Sequence, residues 1–352
     1  MSLLDYIIRF GLAGLRLTRR FLSCFGLSTG EIAKKIFKFP NRKLYCMGHS
    51  HIDAAWLWTR DKTVAKARRT FENALLHMKK YRFFTFAQSA PQYYLWMEKY
   101  FPHIFSGIKE MVKEGRWEPV GGLWVEPDTN MPDGEAFVRH ELFGQRYYLS
   151  RFGKTSEIEW LPDSFGFAWT LPQIFAKSGV KYFWTTKITW NDTNTFPFAI
   201  FEWKSPDGSK VLTYMTPLAM AYIEKKPRPM PVLLDKKKEY NYAHPPDMKN
   251  FASLPTIEEE GIFYGIGDGG GGPVREEILI VKGLLELGNV HTTPSKFFKM
   301  LDAKYRDHIP VWNDELYLEF HRGVLTSQAL IKRYNRQSEN KIITAEMLAT
   351  IA

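Results

Sequence analysis

The chain has 352 residues, of which 45% are hydrophobic and 24% are charged, and both values are close to those of globular proteins. This composition excludes a disordered chain, a collagen-like repeat and a coiled coil. The length fits two domains or one large α/β barrel. Aromatic residues make up 15% of the chain, which suits a large core or a surface that stacks on flat ligands such as sugars.

The chain is basic, with 48 Lys and Arg residues, 38 Asp and Glu residues and a net charge of +10. The basic residues are spread along the sequence, and solubility accounts for such an excess without a nucleic-acid partner. Two cysteines, Cys24 and Cys46, cannot form a disulfide framework and indicate a reducing compartment. We therefore predict a cytoplasmic protein that binds no nucleic acid.

Residues 1–40 are predicted to form an amphipathic helical segment. The stretch from Tyr6 to Leu27 is apolar, but it is interrupted by Arg9, Arg16, Arg19 and Arg20. These four arginines exclude a membrane-spanning helix and do not fit a signal peptide. We expect the segment to dock on the body of the protein, with a membrane surface as the alternative.

Strand and helix signals alternate over most of the remaining chain. The predicted strands are Leu44–Met47, Phe83–Ala87, Trp117–Val125 (ending in a loop), Ile158–Leu161, Tyr182–Thr185, Ile262–Ile266 and Val290–Thr292. The predicted helices are Thr63–Lys80, Gln92–Tyr100, Gly134–Phe152, Leu171–Lys177, Val274–Leu287 and Pro294–Tyr305. Such alternation predicts an α/β fold with a mostly parallel sheet, either open or closed into a barrel.

Three further segments differ from this pattern. Ile200–Trp203 and Lys210–Met215 flank a Pro-Asp-Gly turn and predict a β-hairpin. Glu224–Pro255 is rich in Lys and Pro and is typical of an insertion or a mobile loop. Thr326–Ala352 predicts one long helix with an apolar end. An apolar helix end normally packs on something, so we expect a second polypeptide or self-association to cover it.

The string Gly48-His49-Ser50-His51-Ile52-Asp53 follows the first predicted strand. Two histidines and an aspartate at this spacing can form half of a zinc site. In extended backbone His51 and Asp53 point to the same face, and His49 shares that face if the strand continues. The string also fits a capped strand end, and similar strings occur in deacetylases and phosphatase-like folds.

Two aspartates lie in loops that follow strands. Asp163, between a proline and Ser-Phe-Gly, can be a nucleophile, a metal ligand or a helix N-cap. Asp268 lies within a run of glycines that lacks the lysine and spacing of a P-loop. These glycines let the backbone pass close to a ligand, with Asp268 projecting into the site; a plain flexible loop is the alternative.

Two other sequences contain candidate residues. Trp124-Val125-Glu126-Pro127-Asp128 places an aromatic ring beside two carboxylates, which suits a sugar site, although Asx-turn chemistry explains it equally well. His321, in Glu-Phe-His-Arg-Gly, is a possible further metal ligand, but a lone histidine carries little weight and a structural role is the alternative.

Taken together, five motifs resemble those of glycoside hydrolase family 38, the α-mannosidases, with the closest likeness to the bacterial and archaeal branch. The motifs are His-Ser-His-x-Asp-x-x-Trp, Gly-x-Trp-Val-Glu-Pro-Asp, Trp-Leu-Pro-Asp-Ser-Phe-Gly, Gly-Asp-Gly-Gly-Gly-Gly and His-Arg-Gly-x-x-Thr-Ser. With this resemblance we expect residues 41–325 to form an α/β catalytic domain built on a seven-stranded, barrel-like β/α core. Residues 326–352 would begin a truncated helical bundle.

The resemblance also implies a chemistry. It implies one Zn²⁺ per chain held by the residues His51, Asp53, Asp163 and His321. Asp163 would be the nucleophile and Asp268 the acid/base of a retaining hydrolysis of terminal α-mannosidic bonds, with their carboxyl groups roughly 5–5.5 Å apart. The implied substrate-binding residues are Trp56, Trp124, Glu126, Asp128 and Lys187.

Differences from the family leave room for functions besides this one. Family members are longer and carry a helical bundle and β-rich domains after the catalytic domain, so we expect a fragment or one part of a split protein. A metal-dependent carbohydrate deacetylase or phosphodiesterase would use His51 and Asp53 with a metal-bound water and would give Asp163 no attacking role. The sequence is also compatible with an inactive carbohydrate-binding fragment and with a basic protein that binds nucleic acid or a membrane.

Overall fold

The computed structural model describes residues 42–215, 237–247, 256–265 and 269–352. The predicted helical segment at residues 1–40, most of Glu224–Pro255 and Asp268 lie outside the described residues. What the sequence predicts for these parts stays a prediction.

The described chain alternates between strands and helices, as predicted. The strands are β1 (Lys43–His49), β2 (Phe86–Gln88), β3 (Trp117–Pro119), β4 (Ile158–Trp160), β5 (Tyr182–Thr185), β6 (Ile200–Lys204), β7 (Lys210–Met215), β8 (Glu239–Tyr240), β9 (Glu259–Tyr264), β10 (Val290–His291) and β11 (Val311–Trp312). The helices are α1 (Arg60–Lys80), α2 (Pro91–Tyr100), α3 (Pro102–Lys113), α4 (Gly134–Phe152), α5 (Leu171–Lys177), α6 (Arg275–Glu286), α7 (Pro294–Tyr305) and α8 (Ala329–Ile351).

The strands form two sheets that are almost entirely parallel. In the first sheet β1 pairs with β2, β9 and β10, and β2 pairs with β3, all in parallel. The second sheet has the order β4-β5-β7-β6-β11-β8. Among its described strands the antiparallel pair is β6 with β7, which is the predicted hairpin. The mostly parallel α/β fold is therefore confirmed.

The resemblance predicts a seven-stranded, barrel-like core, and a closed seven-stranded barrel is not seen among the described strands. The two sheets meet where the amide of Gly121, after β3, donates to the carbonyl of Ile158 in β4 at 2.9 Å. Strands β3 and β4 are each paired on their other side, with β2 and β5 respectively, and no ladder between β3 and β4 is found among the described strands. The core is therefore two adjoining sheets.

Three elements differ from the sequence prediction, namely α3, β8 and the short strand β11, which the prediction also lacks. The helix α3 is absent from that prediction, although Pro102 at its first turn and its buried Ile104, Ile108 and Val112 carry a helical signal. Within the segment that we expected to be an insertion or a mobile loop, the β8 strand pairs in parallel with β11. That part of the segment therefore belongs to the second sheet.

Helix α4 lies unusually close to the loop that follows β3. A Cβ atom on Gly144 would lie 1.8 Å from the carbonyl oxygen of Gly122, so only glycine fits at position 144. On its other side α4 contacts α8, where Arg139 donates to both carboxylate oxygens of Glu346 at 2.6 Å. The predicted long C-terminal helix is thus confirmed, and none of its residues is buried. None of the helices within the described ranges has the length and hydropathy that a membrane crossing requires.

A pair of carboxyl groups is buried beneath the same loop. Glu141 of α4 is 1% exposed and Glu159 of β4 is 0% exposed. The amide of Gly122 donates to Glu159 Oε2 at 2.7 Å, and Gln145 donates to Glu141 Oε2 at 3.2 Å. Burial raises the pKa of both carboxyl groups, and a proton shared between the two groups avoids two buried negative charges.

We expect Gly144→Ala to lower the free energy of unfolding by about 1–3 kcal/mol, because the added methyl group must push α4 away from Gly122. Gly134→Ala is the matched control, since a Cβ atom on Gly134, at the N-terminal end of α4, meets nothing within 4 Å. Urea unfolding followed by circular dichroism measures both variants. Equal stability of the two variants would contradict the close contact.

The buried carboxyl pair predicts a pH dependence of stability. Because both pKa values are raised above the ordinary value of 4.5, the pair stabilises the fold at low pH, and this contribution is lost as the pH rises through the folded-state pKa values. Between about pH 5 and pH 8, the unfolding free energy of Glu159→Gln should fall by about 1–3 kcal/mol less than that of the wild type. The exposed Glu286→Gln should leave the wild-type slope unchanged in urea titrations across that range.

Candidate functional site

The ends of two strands from different sheets bring together three of the predicted site residues. His51 and Asp53 follow β1, and Asp163 follows β4. One potential ligand atom from each of these residues lies within 4.8 Å of the other two. Parallel strands place their carboxyl ends at the same edge, where α/β folds form their sites.

These residues line a cavity of about 680 Å³ at the edge of the two sheets. Its lining also includes five residues that the sequence predicts for the site: Trp56, Glu126, Asp128, Lys187 and His321. Three further lining residues, Phe165, Trp190 and Val324, are not identified by the sequence analysis. Trp124 instead lines a different cavity, between α4 and α8, and its indole N–H donates to Gln92 Oε1 at 3.0 Å. The structure therefore places Trp124 outside the lining of the cavity that contains His51.

The carboxylate of Glu126 connects the two halves of the site. One of its oxygens, Oε2, lies 2.8 Å from His51 Nε2, and the other, Oε1, accepts a hydrogen bond from the backbone amide of Asp163 at 2.6 Å. The sequence predicts Glu126 as a substrate-binding residue. Its contacts also fix the position of His51, after the first sheet, relative to that of Asp163, after the second.

A buried ammonium group contacts Asp163. Lys187 follows β5, its side chain is only 4% exposed, and its Nζ donates to Asp163 Oδ1. The same Nζ lies 4.0 Å from the ring centroid of Trp190 and 4.4 Å from that of Phe165. Positions 187 and 190 share one side of a short 3-10 helix, because its side chains repeat every three residues. That spacing is the sequence signal that could have identified Trp190.

The electrostatic environment of Asp163 combines opposing effects. Burial raises the pKa of its carboxyl group, and the nearby charge of Glu126 raises it further. Positive charge on His51 and Lys187 opposes this rise by favouring the carboxylate. Asp163 is therefore a desolvated carboxyl group whose ionised form depends on its cationic neighbours.

Two exposed tryptophans give the cavity aromatic surface. Trp56 is 59% exposed and its ring meets the edge of Trp58 at 5.0 Å, while Trp190 is 43% exposed. Large apolar side chains at this exposure have ring faces available to a ligand. Asp128 lies at the rim, where its Oδ1 accepts hydrogen bonds from the amides of Asn130 and Met131.

Two histidines, His321 and His49, are not part of the group of three candidate ligands. His321 lines the cavity, but the group of ligand atoms found among the described residues contains only His51, Asp53 and Asp163. His49 does not share their face. Its ring is buried edge-on against Trp184 at 5.4 Å, and burial lowers its pKa to about 3, so His49 is a neutral core residue.

The described glycines on both sides of the segment 266–268 lie against the candidate site. A Cβ atom on Gly265 would lie 2.0 Å from the carbonyl oxygen of His49, and Gly265 has a φ of +135°. The amide of Gly270 donates to the carbonyl of His51 at 3.1 Å. This backbone approach requires glycine, as the sequence predicts for a loop passing close to a site.

The donor set fits a divalent transition metal. One imidazole nitrogen and two carboxylate oxygens are ligands that zinc accepts, and three protein ligands leave room for a further one. Glu126 and Lys187, which line the same cavity, are hydrogen-bond partners of His51 and Asp163 respectively. Such outer partners normally accompany histidine and carboxylate ligands of metals.

The fold and the site together define a parallel α/β protein with a candidate metal centre in an aromatic-lined cavity. A family model described as "Glycosyl hydrolases family 38 N-terminal domain" matches residues 41–315, and the chain belongs to that family. The expected family is therefore confirmed.

Curated relatives agree with this assignment, and a solved structure shares the fold. Alpha-mannosidase G of Dictyostelium discoideum is 37% identical over 337 residues, which cover 95% of this chain and 30% of that protein. Alpha-mannosidase 2C1 of Homo sapiens is 34% identical over 313 residues, covering 88% and 29% respectively. The chain thus spans less than a third of the length of these relatives. An alpha-mannosidase structure from Enterococcus faecalis V583 shares the fold, with a TM-score of 0.59, 16% identity and coverage of 78% of this chain and 31% of that one.

The contacts of Glu126 predict an effect on metal binding. Glu126→Ala removes the carboxylate that holds the backbone of Asp163 beside His51, so the affinity of the apo protein for Zn²⁺ should fall about ten- to hundredfold. Competition with a chromogenic chelator measures this affinity without an activity assay. The exposed Glu286→Ala is the control, and an equal affinity for Zn²⁺ in the two variants would show that Glu126 does not organise the ligands.

Proposed function

We propose that this chain contains the catalytic centre of a zinc-dependent, retaining α-mannosidase that cleaves terminal α-mannosidic bonds. The observation that carries the proposal is the meeting of His51, Asp53 and Asp163 in one cavity of a family 38 chain. The name alpha-mannosidase of the two relatives supports the proposal.

In this proposal His51, Asp53, Asp163 and His321 hold the metal. A bound zinc supplies Lewis acidity, which favours the ionised carboxylate and binds sugar hydroxyls such as the axial 2-hydroxyl of mannose. The donor set of the three gathered residues supports the assignment, and His321 lines the same cavity.

Asp163 is the proposed nucleophile. Its carboxylate forms a bond to the anomeric carbon while the bond to the leaving oxygen breaks, which gives a covalent glycosyl-enzyme. Lys187 supports this role, because its ammonium group favours the charged carboxylate inside a desolvated cavity. Glu126 fixes the backbone of Asp163 and so limits the positions that the carboxylate can take.

Asp268 is the proposed acid and base. It gives a proton to the leaving oxygen in the first step and takes a proton from water in the second, as water attacks the anomeric carbon and releases Asp163. The described neighbours Gly265 and Gly270 support this role, since they contact the backbone of His49 and His51. The expected separation of about 5–5.5 Å between the two carboxyl groups belongs to the proposal.

The sugar is proposed to bind between the aromatic and acidic walls of the cavity. Trp56 and Trp190 offer exposed rings, and Asp128 and Glu126 offer acceptors for hydroxyl groups. Lys187 is a candidate donor, although its contact with Asp163 already uses part of its capacity. For Trp124, which lines the cavity beside α8, we propose at most an indirect role.

The wider setting of the site also belongs to the proposal. The catalytic domain would occupy residues 41–325 and a helical bundle would begin at residue 326. We propose that a second polypeptide or self-association covers the apolar side chains exposed on α8, such as Ile331 and Ile351. We further propose a cytoplasmic location and no nucleic-acid partner.

A paired measurement tests the function. The metal content of the purified chain is determined by mass spectrometry, and hydrolysis of p-nitrophenyl α-mannoside is followed before and after chelation. We expect about one zinc per chain, activity that chelation abolishes, and a loss of about a thousandfold or more in kcat for Asp163→Asn and Asp163→Ala. Asp61→Ala, at a side chain that is 90% exposed, should behave like the wild type.

Labelling separates the proposed chemistry from that of a deacetylase. A fluorinated glycoside that traps retaining glycosidases should attach to Asp163, because only a carboxylate nucleophile forms the covalent adduct. Zinc without labelling or hydrolysis would contradict catalysis by this chain alone. The absence of any metal would overturn the ligand assignment of His51, Asp53, Asp163 and His321.

A further inference from the structure

Four consecutive glycines after β9 adopt backbone conformations that need support from outside their own segment. All four, from Gly269 to Gly272, have a positive φ. Glycine has no side chain to pack, and it loses more conformational freedom on folding than any other residue. Contacts from neighbouring elements must therefore hold this backbone in one conformation. We call these four residues the glycine loop.

Side chains of α1 bind the glycine loop at two points. Lys66 Nζ donates a hydrogen bond to the carbonyl of Gly269 at 3.2 Å, and the amide of Gly271 donates to Thr70 Oγ1 at 2.7 Å. Between these two points the loop binds the backbone that follows β1, as described above. The helix therefore supplies a donor at the start of the loop and an acceptor two residues later.

Helix α1 is a firm support for the loop because its inner face is buried. Thr70 is 1% exposed, and its neighbour Phe71 is fully buried in the core. The loop also packs tightly against the helix, since a Cβ atom on Gly269 would lie 3.0 Å from Lys66 Nζ. The position of this backbone is therefore set by a helix that is itself fixed in the core.

The ammonium group of Lys66 has a second contact. Its Nζ lies 4.2 Å from the centroid of the Trp58 ring, which is a cation–π distance. The indole N–H of Trp58 donates to Thr63 Oγ1 of α1 at 3.0 Å, and its ring lies edge-to-face with that of Trp56 at 5.0 Å. Trp56 lines the cavity of the candidate site. Lys66 thus connects the glycine loop with the aromatic wall of that cavity.

The position of the glycine loop matters for the residue that precedes it. Asp268, the proposed acid and base, is followed directly by Gly269, whose carbonyl binds Lys66. A proton donor must come within about 2.6–3.2 Å of the atom that it protonates. A misplacement of about 1 Å in a catalytic group can lower the rate about a hundredfold. Contacts that fix the backbone beside Asp268 therefore bear on the rate.

We propose that Lys66 is a positioning residue for the acid and base of the reaction, and that together with Thr70 it holds the glycine loop in the place from which Asp268 transfers its proton. This proposal rests on the proposed function for the role of Asp268. Lys66 lies outside the lining of the cavity and acts through the carbonyl of Gly269 and the ring of Trp58. Proton transfer thereby depends on a helix that does not itself contact the sugar.

Lys66→Met tests this role, because methionine keeps an unbranched side chain of similar length and removes both the donor and the charge. An alcohol leaving group, as in an α-mannobiose, needs a proton from the general acid, whereas dinitrophenolate departs without one. We expect kcat/KM of Lys66→Met to fall about ten- to hundredfold on the α-mannobiose and less than about threefold on 2,4-dinitrophenyl α-mannoside. A merely structural defect would lower both values alike.

Three further variants complete this test. Lys62→Met, at an exposed position one turn earlier on α1, should match the wild type on both substrates. Lys66→Arg keeps a donor and a cation for the same two contacts and should stay within about threefold of the wild type. Thr70→Val removes the acceptor of the Gly271 amide and should show the same dependence on the leaving group as Lys66→Met. Zinc content and melting temperature, measured on every variant, show that the metal site and the fold are intact.

Hydrogen exchange separates this proposal from the proposed function, because it needs no activity. Mass spectrometry of the peptide that contains residues 269–273 should show exchange about tenfold faster in Lys66→Met than in the wild type or in Lys62→Met. If exchange is faster but the wild type hydrolyses nothing, the support of the loop by Lys66 stands and the proposed function fails. If exchange is unchanged, or if Lys66→Met loses activity equally on both substrates, Lys66 is not a positioning residue.

Discussion

The carboxylate of Glu126 is the contact on which the rest of the site depends. The chain forms two sheets that are not joined by a continuous ladder among the described strands, so their strand ends need another connection to form one site. Glu126 supplies it by contacting His51, after the first sheet, and the backbone of Asp163, after the second. The buried pair of Glu141 and Glu159 supports the loop that leads to Glu126, because Glu159 binds the amide of Gly122. The site is thus organised by the half-buried Glu126 and the buried pair Glu141 and Glu159 as much as by its candidate ligands.

Most of the fold is predictable from the sequence, because parallel strands and amphipathic helices leave periodic signals that depend only on neighbouring residues. The hairpin at Pro206-Asp207-Gly208 is predictable for the same reason. Whether a barrel closes is not predictable in this way, since closure depends on pairing between strands far apart in sequence. The β8 strand, in a segment rich in Lys and Pro, pairs with β11 through contacts that its own two residues do not specify.

The candidate site likewise has residues that local sequence predicts and contacts that depend on tertiary packing. His51 and Asp53 are predictable together because a strand end fixes their relative direction. Asp163 joins them only through the family resemblance, since a loop aspartate is equally suited to a cap. Trp124 shares a motif with Glu126 but lines another cavity, which a motif alone does not specify. The contacts of Lys187 with Asp163 and Trp190 depend on tertiary packing, so the motif indicates only a general substrate-binding role for this lysine.

The burial of Lys187 also constrains how this protein can evolve. Loss of the Asp163 carboxylate leaves an ammonium group that is 4% exposed without its ion-pair partner. Because the Asp163 side chain is 29% exposed, the cost lies below the about 3–5 kcal/mol of a fully buried pair. A domain of ordinary stability has only about 5–15 kcal/mol to lose. The candidate nucleophile is therefore protected by selection for folding as well as by selection for activity. In a lineage that abandoned catalysis but kept the fold, replacement of the lysine together with the aspartate would remove this cost.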